Sequence, residues 1–210
     1  MKILIVVDVQ NDFMHTNGAL YVEGAETIRC NINRLLNSSK FDLKVITQDW
    51  HPPNHMSFAN SYTNTAPFTE REVSNGVDKL KQMMWPDHCI RNTWGAEICP
   101  EISAHTADMI IRKGTHVLRE NYSFLSYTNL VSTEYHSMFA PLDAEYFVCG
   151  IATDHCIKAT ALDLARRLNK EVTIIIDAVK GVDNYKANEW LLNGWQCSRQ
   201  WVKNTEEVIC

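Results

Sequence analysis

One cysteine of the chain stands where proteins commonly place a nucleophile. Cys156 follows the apolar run 146–149 and begins a segment whose apolar residues recur at helical spacing up to residue 168. Thr153 and Asp154 are residue types that cap helices, so the pattern predicts Cys156 in the first turn of a helix after a buried strand. Backbone N–H groups and the helix dipole favour a thiolate there and could hold an oxyanion. From position alone, a small buried hydrophobic side chain remains the alternative.

Two ionisable residues elsewhere could complete a nucleophilic site. Asp8 directly follows the apolar run 3–7, and Lys113 comes shortly after the run 107–111 and precedes Gly114. A carboxylate can take the proton of a thiol, and an ammonium group stabilises the resulting set of charges. Taken singly, Asp8 could cap a turn and Lys113 could be a solvated lysine.

A second set of residues has the composition of a metal site. Asp49 and His51 are two residues apart at the end of an apolar run, which places both side chains on one side of an extended segment. His55 and His88 follow. One carboxylate with two or three imidazoles suits Zn²⁺, Fe²⁺ or Mn²⁺. The alternative is a polar loop in which surface histidines gather.

The elements that would position these residues alternate between strands and helices. Apolar runs predict strands at 2–7, 42–47, 107–111, 146–149, 171–176 and within 196–202. Helical spacing predicts helices at 25–36, 156–168 and 185–192, a short helix near 97–102 and a weaker one at 127–139. This order predicts a three-layer α/β/α fold with an open, mostly parallel sheet of about six strands. Ligands bind beyond the carboxyl ends of such strands, where Asp8, Asp49, Lys113 and the turn to Cys156 would meet.

The length of 210 residues fits one domain over 1–210. Residues 52–88 differ from the rest because they are polar, rich in Asn, Thr, Ser and Pro, and without strong periodicity. They predict an insert that acts as a lid over the site or as a contact in a homo-oligomer.

Composition argues against several classes of partner. The net charge of −5 offers no basic face for nucleic acid or an anionic membrane, and the apolar runs are far too short for a membrane span. No signal-peptide pattern begins the chain. Seven cysteines with irregular spacing do not predict a disulfide framework, so we expect a reducing, cytoplasmic compartment, extending to the nucleus in a eukaryote.

The motifs taken together resemble the isochorismatase-like cysteine hydrolases. In chain order they are DVQNDF at 8–13, DWHPxxHxSF at 49–58, WPxHC at 85–89, KG at 113–114 and GIATDxC at 150–156. Within that superfamily the DWH and WPxHC motifs, with RENYSF at 119–124, are similar to those of nicotinamidases. The resemblance implies hydrolysis of nicotinamide to nicotinic acid and ammonia, in NAD salvage, through a cysteine thioester.

Roles for individual residues follow from this resemblance. It implies Asp8 as general base, Lys113 as electrostatic partner and Cys156 as nucleophile. Backbone N–H groups of Ala152 and Cys156 would form the oxyanion hole, and the Ile151–Ala152 peptide bond would be cis.

The resemblance also implies a resident metal and a ring pocket. Asp49, His51 and His88 would hold a divalent transition metal, zinc in the first place with iron or manganese as alternatives. His55 is a ligand in some relatives only. The residues implied for the substrate pocket are Phe13, Trp85, Tyr122, Ile151 and His155.

Other functions fit parts of the pattern. A sister amidase acting on another small amide or ureido compound would need no metal. A catalytically silent member that only binds a metal or ligand would have an unreactive Cys156. A hydrolase that uses only the metal would leave Cys156 and Lys113 without a role.

Overall fold

The computed structural model describes residues 1–127, 139, 143–193 and 200–210. Within these residues six strands, all paired in parallel, form a central sheet: β1 (Lys2–Val7), β2 (Leu43–Asp49), β5 (Met109–Lys113), β6 (Glu145–Ile151), β7 (Glu171–Lys180) and β8 (Gln200–Lys203). Their order across the sheet is β5-β2-β1-β6-β7-β8. The predicted parallel sheet of about six strands is confirmed.

Both faces of the central strand are covered. Residues 3–7 of β1 are fully buried, as expected of a continuous apolar run in a parallel sheet flanked by helices. Parallel neighbours cannot be joined by a tight turn, so helical crossovers must link them. This requirement produces the three-layer α/β/α architecture.

The described helices are α1 (Asn11–Met14), α2 (Arg29–Asn37), α3 (Lys158–Arg167), α4 (Asn184–Asn193) and α5 (Thr205–Ile209). The predicted helix at 25–36 begins as a 3₁₀ turn over Ala25–Ile28 and continues as α2, which packs on β7 and on α5. A capping box formed by Asn204 and Glu207 starts α5, which the sequence pattern did not predict. Among the described residues, none of these helices combines the length and apolarity needed to cross a membrane.

Two further helix predictions have different outcomes. The prediction of a helix near 97–102 was wrong. That segment is not helical, and 3₁₀ turns lie on either side of it, at Trp94–Ala96 and Ala104–Thr106. The backbone of segment 97–102 forms hydrogen bonds with the chain that follows β1. Asn11 N donates to Glu97 O and Cys99 N donates to Val9 O, both at 2.9 Å. The helix predicted at 127–139 falls almost entirely outside the described residues.

The polar insert at 52–88 contains an antiparallel hairpin that the sequence did not predict. Its strands are β3 (Glu70–Ser74) and β4 (Lys79–Met83). The hairpin has a small core of its own, made by Met56, Ala59, Val73 and Met84. Isolated bridges from Phe58 to Trp85 and from His51 to Ile90 join the two ends of the insert to each other.

Candidate active site

The candidate site lies where four neighbouring strands end. Asp49, the last residue of β2, stands opposite Lys113, the last residue of β5. On the other side, Val7 at the end of β1 stands opposite Gly150 near the end of β6, and Asp8 follows Val7. The predicted meeting of these strand ends at one edge of the sheet is confirmed.

Backbone conformation at this edge brings β6 close to β1. Gly150 has φ 111°, and a Cβ there would lie 2.1 Å from Val7 O, so only glycine allows this approach. Asp8, directly after β1, has φ 50°, an unusual conformation for a non-glycine residue. The Ile151–Ala152 peptide bond is cis, as the resemblance implied.

A buried ammonium group joins the candidate catalytic residues. Lys113 Nζ lies 2.8 Å from Asp8 Oδ2 and 2.6 Å from Asp49 Oδ1. It also donates to Cys156 Sγ at 3.4 Å. Asp8 Oδ1 accepts a hydrogen bond of 2.7 Å from Thr47 Oγ1, which orients the carboxylate. The structure therefore brings Asp8, Lys113 and Cys156 into direct contact.

Burial and the charges of neighbouring side chains determine the protonation states of Asp8, Lys113 and Cys156. Burial raises the pKa of Asp8 to about 6 against the opposing effect of Lys113. Burial also raises the pKa of the Cys156 thiol well above its usual value, and Asp8 adds to this while Lys113 opposes it. Burial would lower the pKa of Lys113, but the carboxylates of Asp49 and Asp8 hold it well above its usual value.

The direction of the Cys156 pKa is opposite to the expectation of a resting thiolate. At neutral pH a pKa raised by burial favours the protonated thiol. Asp8 is mostly ionised at the same pH and can accept the thiol proton. The site thus needs its carboxylate as a proton acceptor.

Cys156 lies in a wider helical turn than a regular α-helix start. A π-helical turn over Thr153–Ile157 contains it and leads into α3. The prediction that Thr153 or Asp154 caps this helix was wrong, since neither makes a side-chain cap bond. Asp154 instead accepts hydrogen bonds from the backbone N–H groups of Val182 and Asp183, both at 2.9 Å. Its carboxylate fixes the loop after β7 against the nucleophile turn.

Asp49, His51 and His88 form a buried group that fits a divalent metal. Their ligand atoms lie within 4.8 Å of one another, and His51 Nε2 is 3.7 Å from Asp49 Oδ2. Nδ1 of His51 bonds Gly114 O at 2.9 Å and Nδ1 of His88 bonds Pro86 O at 2.7 Å. A carbonyl only accepts, so both Nδ1 atoms carry a proton and the Nε2 atoms are the ones left to bind a metal. Gly114 is needed here, since it has φ 62° and a Cβ would lie 2.4 Å from His51 Cε1.

The charge states of the group also suit a metal. Burial would raise the pKa of Asp49, but Lys113 and His51 hold it below its ordinary value. Burial, with His51 adding, lowers the pKa of His88 to about 4. Burial would lower the pKa of His51, but Asp49 raises it above its usual value, so binding of a metal would displace a proton from His51. The group therefore offers an ionised carboxylate and one neutral imidazole, that of His88, which are forms that bind a metal.

His55 is a neighbour of this group rather than a member. Its ring stacks on His51 with centroids 4.2 Å apart. Its Nδ1 lies 2.7 Å from Ser57 Oγ, and its Nε2 lies 2.9 Å from Arg119 O. Because Nε2 must donate to that carbonyl and Nδ1 accepts from the hydroxyl, neither nitrogen has a lone pair left for a metal. The arrangement places His55 as a support for His51.

A pocket with about 370 Å³ of empty space, counting the open solvent at its mouth, opens onto both groups. All five residues expected in the substrate pocket line it: Phe13, Trp85, Tyr122, Ile151 and His155. Trp85 Nε1 donates to Tyr122 OH at 3.0 Å, and the rings of Trp85 and His155 meet edge to face at 4.8 Å. The walls are aromatic, and the polar groups lie at the floor.

Three lining residues were not predicted: Leu20, Glu120 and Val182. Glu120 is the one that carries charge. Burial would raise its pKa, but His51 and His55 hold it below its ordinary value. Glu120 lies within the RENYSF motif, so the motif was the only signal for it, and no periodicity marks its segment.

The fold and the similar proteins define the chain as a hydrolase that acts on an amide. The chain belongs to the isochorismatase family, whose isochorismatase domain matches residues 2–197. The nicotinamidase of Acinetobacter baylyi is 41% identical over 196 residues, covering 92% of this chain and 86% of the relative. The nicotinamidase of Saccharomyces cerevisiae is 32% identical over 195 residues, covering 88% and 90%.

Solved structures that are similar to this chain agree with this family assignment. The nicotinamidase/pyrazinamidase of Acinetobacter baumanii has a TM-score of 0.85 and 36% identity, over 99% of this chain and 97% of that one. The L. infantum enzyme PnC1 in complex with nicotinate has a TM-score of 0.79 and 29% identity, over 97% and 92%. Pyrococcus horikoshii pyrazinamidase in complex with zinc has a TM-score of 0.73 and 32% identity, over 97% and 98%.

Proposed function

We propose that this protein hydrolyses nicotinamide to nicotinic acid and ammonia, a reaction of NAD salvage. The observation that carries the proposal is the contact of Lys113 Nζ with both Asp8 and Cys156, the latter of which lines the aromatic pocket. The nicotinamidases among its relatives support the substrate. A sister amidase that needs no metal would leave the neighbouring Asp49, His51 and His88 group without a role.

In the first half of the reaction an acyl group passes to sulfur. Asp8 takes the thiol proton, and Cys156 Sγ attacks the carboxamide carbon. Backbone N–H groups of Ala152 and Cys156 are proposed to hold the oxyanion. The C–N bond then breaks, and the nitrogen leaves as ammonia with the proton that Asp8 held. The product is a thioester on Cys156.

In the second half water releases the acid. Asp8 takes a proton from a water molecule, whose oxygen attacks the thioester carbon. The C–S bond breaks, the proton returns to sulfur, and nicotinic acid leaves. Lys113 remains positive throughout, which stabilises Asp8 and the departing thiolate.

We propose that Asp49, His51 and His88 hold the resident metal, zinc in the first place, with iron or manganese as alternatives. When bound, the metal would supply a Lewis acid that anchors the pyridine nitrogen. The zinc-bound pyrazinamidase of Pyrococcus horikoshii supports this reading. The aromatic side chains proposed to enclose the ring are Phe13, Trp85 and Tyr122.

The direct test is ammonia release from nicotinamide by the purified protein, with pyrazinamide as second substrate. We expect turnover of nicotinamide. Rapid alkylation of Cys156 by iodoacetamide without any ammonia release would overturn the substrate and leave another small amide as the candidate.

Three broader predictions accompany this function. We propose that residues 1–210 act as one domain, with 52–88 covering the site. We also propose a cytoplasmic location, which the free state of the six described cysteines supports. Assembly into a homo-oligomer stays a prediction, to be measured by light scattering after size-exclusion chromatography.

Activity should fall at acid pH as the Asp8 carboxylate becomes protonated. Only the ionised carboxylate can accept the thiol proton, and burial raises the pKa of Asp8 to about 6. A bound cation would lower this value, so kcat/KM should fall about tenfold per pH unit below a midpoint at or below about pH 6. The measurement is kcat/KM for nicotinamide across this range. A limb with a midpoint above about pH 7 would contradict the assignment.

His51→Ala should empty the proposed metal site. The substitution removes one of three ligands, so we expect elemental analysis to show the loss of about one equivalent of metal per chain, and KM for nicotinamide to rise. His105→Ala is the matched control, because His105 is exposed and lies outside the group. Full metal content in His51→Ala would remove His51 from the ligand set.

A further inference from the structure

A second group of side chains with metal-binding chemistry lies outside the pocket lining. His15, Cys99 and Glu101 each offer one ligand atom, and these atoms lie close together. Cys99 Sγ is 3.7 Å from His15 Nε2 and donates to Glu101 Oε2 at 2.8 Å. His15 Nε2 is 3.6 Å from Glu101 Oε2. The proposed catalytic steps use none of these residues.

The triangle of ligand atoms is close to one face of a zinc tetrahedron. Ordinary Zn–S, Zn–N and Zn–O bond lengths place tetrahedral ligand atoms about 3.4–3.6 Å apart. Two edges of the observed triangle, at 3.7 and 3.6 Å, already have this length within about 0.2 Å. The third edge, the 2.8 Å thiol–carboxylate hydrogen bond, must open by about 0.8 Å once the thiol proton leaves. The Glu101 side chain is 48% exposed and is free to make this movement.

The surrounding contacts hold the three ligands toward a common point. Cys99 is buried, and its N–H donates to Val9 O at 2.9 Å. The His15 ring lies against Trp94 with centroids 5.5 Å apart. Arg29 Nη1 lies 3.8 Å from Glu101 Oε1, the carboxylate oxygen that is not part of the triangle. The ligand set is therefore arranged before any ion binds.

We propose that His15, Cys99 and Glu101 bind a divalent ion of the zinc class at a site separate from the one at the strand ends. Sulfur, imidazole nitrogen and carboxylate oxygen are the ligands zinc prefers, and the exposed side of the group leaves its fourth position to water. Binding releases the Cys99 proton to solvent, and Sγ binds as thiolate. The ion would link the end of α1, which carries Phe13, to the segment after Ile98.

The test uses Co²⁺ as the probe, because a cobalt–thiolate bond gives a charge-transfer absorption that carboxylate and imidazole ligands lack. The protein is the full chain with Cys156→Ser, stripped by a chelator, so that the catalytic sulfur does not contribute. We expect the absorption to saturate with about one equivalent bound at this site and to disappear in Cys99→Ser. His15→Gln should weaken Co²⁺ binding at this site by at least about tenfold.

Two variants serve as controls. His51→Ala should keep the absorption, because that residue belongs to the other site. Cys30→Ser should also keep it, because Cys30 is an exposed cysteine outside the group.

If Cys99→Ser does not fold, as judged by loss of its far-ultraviolet circular dichroism, Co²⁺ binding by His15→Gln and Glu101→Gln tests the site instead, since both positions are partly exposed. The proposal is overturned if no absorption develops, if it survives Cys99→Ser, or if His51→Ala abolishes it. Failure to release ammonia would not affect this result, because the test uses no substrate.

Discussion

Cys156→Ala is expected to lower kcat for nicotinamide by at least about 10⁴-fold, the scale seen when a covalent nucleophile is removed. Cys156 Sγ forms the bond to the carboxamide carbon that replaces the C–N bond. Among the described residues, no other thiol is in contact with Lys113 Nζ. Asp49, His51 and His88 remain in place, so metal content and binding of nicotinamide should persist. Loss of turnover with binding retained is the signature of a group that acts in the reaction itself.

The measurement combines three readouts on the same preparation. Ammonia release reports turnover, elemental analysis reports the metal, and quenching of aromatic fluorescence by nicotinamide reports binding near Trp85. Cys30→Ala is the matched control, because this cysteine is exposed and should leave turnover unchanged. Normal ammonia release by Cys156→Ala would end the nucleophile assignment. Mass spectrometry of acid-quenched wild type should in addition detect the nicotinoyl thioester.

The strand ends of this site could be predicted because local pattern and topology agree there. Buried parallel strands appear in a sequence as continuous apolar runs, and the residues after them must meet at one edge. Asp8, Asp49 and Lys113 each end such a run. The position of Gly150 also follows from local rules, because a break in an apolar run before a helical pattern marks a turn.

Other features depend on partners that sequence does not reveal. Whether His55 binds a metal is decided by Arg119 O, 64 residues away, which occupies its Nε2. The raised pKa of Cys156 comes from burial by elements distant in sequence, whereas the local helix start suggested a thiolate. The hairpin of β3 and β4 was missed because its charged, mostly exposed residues form no apolar run. In each case a tertiary contact outweighs the local signal.

Lys113→Met is expected to lower the free energy of unfolding of the metal-stripped protein by about 3–5 kcal/mol at pH 7, the usual cost of removing one partner from a buried ion pair. Methionine fills much of the same volume but leaves the carboxylates of Asp8 and Asp49 buried without a cation. Activity should fall as well, because the charge beside Cys156 Sγ is lost.

The loss of stability in Lys113→Met should depend on pH with a definite sign. Without the ammonium group, burial and mutual repulsion raise the folded-state pKa of Asp8 further and bring that of Asp49 above its unfolded value. A carboxyl group shifted upward in the folded state destabilises that state as pH rises through the raised pKa. The deficit relative to wild type should therefore be smallest near about pH 5 and largest near about pH 8.

Urea unfolding of both proteins at several pH values measures this difference. Lys79→Met is the matched control, because its pair with Glu72 is exposed at the surface and its loss should leave stability almost unchanged. Adding Asp8→Asn to Lys113→Met should restore part of the lost stability at high pH, since one of the two facing charges is gone. A deficit that is independent of pH, and that Asp8→Asn does not reduce, would show that Lys113 contributes packing rather than charge.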